Sequence, residues 1–227
     1  MLTLTDEIQE ALSTERFAPY LSQCGNNFDA ACELYIWNMA VSGAFFPWLN
    51  MVEIVLRNRI HFALSAVHGS RWVWQHGFIN TLPKPKQGFN PRDELAAVGK
   101  KYGKTQQTGK VIADLNFAFW QQMLKKNQLH TLWNKHLSAA FPNLDLAKTT
   151  DANRQTLYDH IEQIRKLRNR IAHHEPIHER DLSGDLDSIL YVLGAAHSQD
   201  FIGWLKRSLP FHFAETSYIE ILLQNKP

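Results

Sequence analysis

The chain has 227 residues, of which 44% are hydrophobic and 20% charged, so a packed core is expected and extensive disorder is excluded. The formal net charge is only +2, so binding of nucleic acid would need a local basic patch rather than an overall field. The cysteines, Cys24 and Cys32, are too few for a disulfide framework and indicate ordinary half-buried thiols in a reducing compartment. Because no signal peptide is evident, we expect a cytoplasmic protein.

Helical patterning dominates the first third of the chain. Ser13 is expected to cap a short helix, and Asp29 to open a longer one that Pro47 interrupts. A further helix then runs to Gly69, which ends it. The most apolar stretch, Ala40–Leu49, is about half of a membrane span and contains a proline, so we expect no membrane association.

The middle of the chain is basic. Residues 83–110 carry seven Lys or Arg against Asp93 and Glu94, a local net charge of seven minus two, or +5. Proline and glycine punctuate the segment, which predicts loops around one short helix and an insertion within a single domain of residues 1–227. The segment is either a solvated surface or a patch that faces phosphates. In the second case, the residues expected to contact RNA are Lys100, Lys101 and Lys104.

Helical patterns return in the second half of the chain. They cover residues 110–126, residues 129–141 and a long helix from about Thr150 to His173. Two further helical segments are expected at about Leu182–Ala196 and Phe201–Leu209. No strand series and no glycine-rich phosphate loop stand out, so the sequence predicts an all-α fold.

The long helix ends in LRNRIAHHEPIH, whose tail fits the H-E-x-x-H pattern of zinc proteases through His174 and His178. That pattern works when both histidines lie on one helical face. Pro176 should end the helix before or at Glu175, because it lacks an N–H and collides with the preceding turn. The two histidines are then not held together, and we predict no metal site.

The front of the same stretch indicates a different chemistry. Arg168, Asn169 and His173 could cut RNA without a metal, since RNA carries its own nucleophile, a histidine can move a proton and an arginine can stabilise the phosphate. On an ideal helix Arg168 falls inside the apolar stripe and diverges from His173 by about 140°. A shared site would therefore need a break near Pro176 or two copies of the helix across a dimer.

Basic residues around the motif have a simpler interpretation as well. Near a helix C-terminus they offset the helix dipole whatever the function. Arg165 and Arg170 are nevertheless further candidates for contacting RNA.

The motif and its companions resemble a known family. The segments LSTERFAPYL, ELYIWNMAVSGAFFPWLNMVEIVLRNRI, VIADLNFAFWQQML, LWNKHLSAAFP and LRNRIAHHEPI occur in the order expected for Abi-like (abortive infection) proteins of the HEPN superfamily. The resemblance implies a HEPN-type helical bundle with extra helices, usually dimeric, and a metal-independent endoribonuclease of phage defence or a toxin–antitoxin system. It implies catalytic roles for Arg168, Asn169 and His173, and His174 lies within the spacing that the family tolerates. The alternative is a catalytically silent module that binds RNA or a protein.

The implied partners are an RNA substrate, a second copy of the chain and an antitoxin of protein or RNA, with no cofactor. Glu53 and Arg57 lie four residues apart in the order that favours an intrahelical pair. We expect their helix to pack against the motif helix, with Glu53 neutralising Arg168 or Arg57. The alternative for Glu53 and Arg57 is a plain surface salt bridge.

Overall fold

The structure, a computed structural model that describes residues 3–103, 107–208, 212–213 and 216–227, is all-α as predicted. The helices are α1 (Leu4–Leu12), α2 (Thr14–Gln23), α3 (Phe28–His68), α4 (His76–Thr81), α5 (Pro91–Lys101), α6 (Thr108–Asp114), α7 (Phe117–Met123), α8 (Asn134–Ala140), α9 (Thr150–Ala172), α10 (Leu182–Ala196), α11 (Gln199–Ser208) and α12 (Tyr218–Gln224). Single helical turns cover Trp72–Trp74, Lys126–Gln128 and Leu129–Trp133. Strands β1 (His212–Phe213) and β2 (Thr216–Ser217) form a short antiparallel pair.

Helix α3 forms the centre of the fold, and α2, α7, α8, α9, α10 and α12 pack against it. It begins after Asn27, whose side chain accepts a hydrogen bond from the Ala30 N–H, and it ends at Gly69 with a φ of 80°. The predicted break at Pro47 is wrong, because the helix continues through it for 41 residues in all. Packing explains the difference, since Phe45, Trp48 and Leu49 are buried on the two sides of the proline and hold both halves in line.

Helix α9 packs between α3 and α10 through the apolar stripe read from the sequence. The stripe residues Leu157, Ile161, Ile164 and Leu167 are fully buried. Thr149 caps the N-terminus of α9 by accepting a hydrogen bond from the Ala152 N–H, and Asp181 caps α10 in the same way. These local signals explain why the predicted bounds of both helices agree with the structure to within one residue.

The basic segment contains the predicted helix, α5, but also the start of α6. Leu95 of α5 is fully buried in the main core, so the segment is packed onto the fold. The helical pattern over residues 110–126 is divided in two, because Asn116 caps a new helix by accepting from the Phe119 N–H. Lys104, and Leu209 in the predicted last helix, lie outside the described residues.

The expectation of no membrane association stays a prediction, but the apolar helix on which it bears is longer than the sequence suggested. Because α3 is continuous, it contains an 18-residue window with a mean hydropathy of 1.5, which by length and composition is enough to cross a membrane. Of this window, 39% is buried inside the fold. The helix is also the one around which the others pack, and a core helix of a soluble protein meets the same criterion. A cytoplasmic location stays a prediction.

Candidate active site

A cavity of about 910 Å³ opens between α1, α2, α3 and the C-terminal end of α9. Charged and titratable side chains occupy part of its wall: Arg16, Glu53, Arg57, Arg168, His174 and Glu175. They come from three helices and the turn after α9. The motif helix and the Glu53 helix therefore meet at one cavity, as the sequence suggested.

The turn after α9 brings His174 to this cavity. The N–H of His174 bonds to the carbonyl of Ile171 at 3.1 Å, and the N–H of Glu175 bonds back to the carbonyl of Arg170 at 2.8 Å. This is the Schellman pattern that closes many helices, and Pro176 follows it. His174 has a φ of 55° at the position where glycine is usual. The helix thus ends at Ala172, and the backbone reverses.

Side chains of two other helices hold the reversed turn by hydrogen bonds to its backbone. Arg16 of α2 donates a hydrogen bond from Nη1 to the carbonyl of His174 at 2.7 Å. The buried Asn38 of α3 accepts one from the Ile177 N–H through Oδ1 at 2.8 Å. The backbone that carries His174 is therefore fixed to both α2 and α3.

Arg57 and Arg168 are half-buried in the cavity wall, and most of their donors have no partner among the residues that the structure describes. Arg168 makes one long contact, from Nη1 to Oδ1 of Asn169 at 3.4 Å. In the described part of the chain, no ion pair within 4.0 Å joins Glu53 to either arginine. The predicted neutralising pair is therefore not formed, although all three side chains line the same cavity. Two half-buried guanidiniums without a carboxylate partner are suited to binding an anion.

Asn169 and His173 do not line the cavity. His173 is the exposed residue that follows α9, and its N–H bonds to the carbonyl of Asn169 at 3.0 Å. It lies outside the cavity that Arg168 lines, which agrees with side chains that point apart on a helix. The sequence left open which histidine shares a site with Arg168, and the structure places His174 with it in one chain.

Three of the other basic candidates, Arg165, Arg170 and Lys101, have partners within the protein. Arg165 holds Glu162 with two hydrogen bonds, of 3.0 and 2.9 Å, which lower the pKa of that carboxyl group. Arg170 donates to the carbonyl of Pro176 at 2.8 Å. Lys101 pairs with Asp114 at 2.7 Å, and Lys100 is exposed. None of these candidates lines the cavity.

The zinc-protease pattern is broken as expected. His174 lines the cavity, whereas His178 is only 2% exposed and packs on the Tyr20 ring, with centroids 4.9 Å apart. Burial lowers the pKa of His178, which favours its neutral form. Within the described ranges, no group of three or more His, Cys, Asp or Glu side chains could hold a metal ion.

Sequence reasoning missed Arg16 and the apolar part of the cavity. Among these lining residues is Tyr20, whose pKa burial raises to about 12, so its hydroxyl stays protonated at neutral pH.

Six of the eleven lining residues of α3 recur at spacings of four and three: Met39, Gly43, Phe46, Asn50, Glu53 and Arg57. This periodicity can be read from the sequence once α3 is taken as continuous. No comparable local signal identifies Arg16, because it meets His174 across 158 residues of chain.

Comparison with known proteins supports the resemblance. No curated protein and no solved structure matches the chain. A family model described as Abi-like protein matches residues 9–179, a span that includes every residue of the cavity wall named above. The match covers well over half of the chain, which therefore belongs to the Abi-like protein family.

Proposed function

We propose that the chain is a metal-independent endoribonuclease that acts in abortive infection, with Arg168 and His174 as its central pair. One observation carries the proposal, which is that Arg57, Arg168 and His174 line the same cavity while the two arginines lack carboxylate partners among the described residues. Membership of the Abi-like family supports the setting in abortive infection. Phage defence and a toxin–antitoxin system are both compatible with this setting.

The proposed chemistry uses the substrate's own nucleophile. The 2′-hydroxyl oxygen attacks the adjacent phosphorus, a new P–O2′ bond forms, and the P–O5′ bond breaks. Glu53 accepts the 2′-hydroxyl proton, and protonated His174 delivers a proton to the departing 5′-oxygen. Arg57 and Arg168 stabilise the negative charge that builds on the phosphate. The products are a 2′,3′-cyclic phosphate and a 5′-hydroxyl.

The first prediction concerns the two neighbouring histidines. Purified protein should cleave mixed cellular RNA in the presence of EDTA, and Arg168→Ala and His174→Ala should each lower the rate by about 100-fold or more, as expected for loss of a charge-stabilising or proton-transferring group. His173→Ala is the matched control, because His173 is exposed and does not line the cavity. Gel analysis of the RNA measures the rates.

The result can contradict the proposal in two ways. Loss of activity in His173→Ala with full activity in His174→Ala would assign the proton transfer to His173. The cavity would then not be the catalytic site. Cleavage that EDTA abolishes would make the reaction metal-dependent.

The alternative function is a catalytically silent module that binds RNA or a protein partner. The positions of Asn169 and His173 outside the cavity favour it, since part of the arginine–asparagine–histidine motif is then not used together. In this case no RNA is cleaved by the wild type, while Arg168→Ala and His174→Ala keep a normal fold. The same assay therefore separates the two functions.

A homodimer and an antitoxin partner stay predictions, as does the HEPN superfamily. The reason for expecting a dimer has changed, because Arg168 and His174 reach one cavity without a second copy of α9. Measurement of the molecular mass in solution would test the dimer directly.

A further inference from the structure

The face of α3 that lines the cavity, which we call the cavity floor, changes from apolar to charged along the helix. The lining residues at spacings of four and three lie on one face of the helix. Met39 and Phe46 lie toward one end, Asn50 follows, and the charged Glu53 and Arg57 lie at the other end. The whole lining carries Arg16, Arg57 and Arg168 against Glu53 and Glu175, so the cavity favours an occupant with an apolar surface at one end and negative charge at the other.

The apolar end is unusually open. Phe46 is 64% exposed and Met39 is 55% exposed, although large apolar side chains are more often buried. Gly43 lies between them, and a Cβ atom at this position would meet nothing within 4 Å. Packing therefore does not demand a glycine there, and the space around this position is open.

Pro47 leaves a backbone carbonyl near the same end of α3 without its usual hydrogen-bond partner. Pro47 has no N–H, so the carbonyl of Gly43 lacks its usual partner in the helix. Gly43 is exposed, so this part of α3 is open to solvent. The exposed aromatic ring of Phe46 matches the flat face of a nucleobase.

We infer that the Phe46 end of the cavity binds an unpaired base of single-stranded RNA, while Arg57 and Arg168 hold a phosphate of a neighbouring nucleotide. The inference rests on the proposed function, since it takes RNA as the ligand of the cavity. Aromatic side chains that stack on bases and basic side chains that follow the backbone together characterise single-strand binding. The helical rise separates the Cα atoms of Phe46 and Arg57 by about 16 Å, so the base and the phosphate belong to different nucleotides.

Single strands fit this arrangement better than the other occupants do. Bases in a duplex are paired and stacked, and cannot lie on the Phe46 ring. An apolar surface of a second protein copy would cover Phe46 and Met39 but would bring no negative charge to a lining with three arginines and two glutamates, and desolvating unpaired charge is costly. RNA supplies both the flat ring and the charge.

Binding of an uncleavable ligand tests the inference. A short single-stranded oligonucleotide with 2′-fluoro riboses has no nucleophile, so fluorescence anisotropy reports affinity alone. Phe46→Ala should weaken binding about tenfold, the effect expected for loss of one stacked base, and Phe46→Tyr should restore it. Phe62→Ala is the matched control and should bind as the wild type does, because Phe62 is also on α3, is 50% exposed and does not line the cavity.

Two further measurements identify the part of the RNA that contacts Phe46 and test whether a second protein copy covers this residue instead. With an abasic oligonucleotide the difference between wild type and Phe46→Ala should disappear, and a blunt duplex should bind without dependence on Phe46. Equal affinity of Phe46→Ala and wild type for the single strand would overturn the inference. Sedimentation that shows Phe46→Ala separating a wild-type dimer into monomers would overturn it too, in favour of a contact between copies.

The outcome is distinguishable from that of the nuclease proposal. Binding that depends on Phe46, without cleavage of natural RNA, would support the base-binding inference and contradict the proposed nuclease activity. Cleavage of RNA by the wild type, with an oligonucleotide affinity that does not depend on Phe46, would support the nuclease activity and contradict the base-binding inference. If the wild type binds no RNA, the inference is wrong.

Discussion

His174 combines a place in the cavity wall with an unusual backbone conformation. It lines the cavity with Arg168, and its backbone has a φ of 55°, which side chains other than glycine and asparagine adopt reluctantly. Strained conformations of this kind persist where the surroundings fix them, and they concentrate at functional sites. Here the Schellman hydrogen bonds and the 2.7 Å bond from Arg16 fix the turn. We therefore expect the His174 side chain to serve the function of the protein and not the stability of its fold.

The variant His174→Gly should raise stability and abolish activity. Glycine relieves the left-handed conformation and leaves the backbone hydrogen bond from Arg16 in place, so the free energy of unfolding should rise by about 1 kcal/mol. RNA cleavage should be lost with the imidazole. Denaturant unfolding and the cleavage assay measure the two effects.

Two controls separate strain from chemistry. His174→Ala should lose activity without the gain in stability, because alanine keeps the strain. His173→Gly should gain no stability, since the φ of His173 is −95°. A His174→Gly protein that cleaves RNA normally would contradict the assigned role.

Among the secondary-structure elements, α3 shows how tertiary packing overrides local sequence. A proline inside a helix costs about 3 kcal/mol relative to alanine, and this cost predicted a break at Pro47. The buried Val41, Phe45, Trp48 and Val52 lie on both sides of the proline, and their packing outweighs it. The ends of α9 and α10 were predictable because caps and apolar stripes are local, whereas the continuity of α3 depends on partners far along the chain.

The variant Pro47→Ala should therefore stabilise the protein. It restores the N–H that the Gly43 carbonyl lacks, and a gain of about 2 kcal/mol is expected after allowing for the freer unfolded chain. Thermal and urea unfolding measure the gain. Pro91→Ala is the contrasting control, since Pro91 is in the first turn of α5, where proline is favourable, and it should give no gain. Equal effects of the two substitutions would show that helix continuity at Pro47 has no energetic cost.

At the scale of the whole molecule, the all-α fold followed from helical periodicity, but the cavity did not. Arg168 falls inside an apolar stripe of α9 on an ideal helix, and in the structure it is half-buried in the cavity wall. What it faces comes from α1, α2 and α3, and periodicity within one helix carries no information about which helices meet. Arg16 contacts the turn after α9 across 158 residues, so only the assembled fold reveals it.

Burial of histidines gives the whole fold a predicted sensitivity to acid. Burial lowers the pKa of five histidines from the ordinary value of 6.5: His61, His68, His160, His178 and His197. Below about pH 6.5 the unfolded chain binds more protons at these sites than the folded chain does. The free energy of unfolding should therefore be largest above this pH and fall as the pH drops, by about 1.4 kcal/mol for each unit by which a pKa is lowered.

His178 should supply a measurable part of this sensitivity. Burial against Tyr20 lowers its pKa, the nearby Glu179 opposes the effect, and Lys226 and Arg170 add to it. Neither ring nitrogen has a hydrogen-bond partner in the described part of the chain, so His178→Phe should also be neutral or stabilising at pH 7.5. Urea unfolding of wild type and His178→Phe between pH 7.5 and 5.0 should show a shallower decline in the variant. Parallel declines would mean that His178 binds protons equally in the folded and unfolded chains, and that its burial does not suppress its charge.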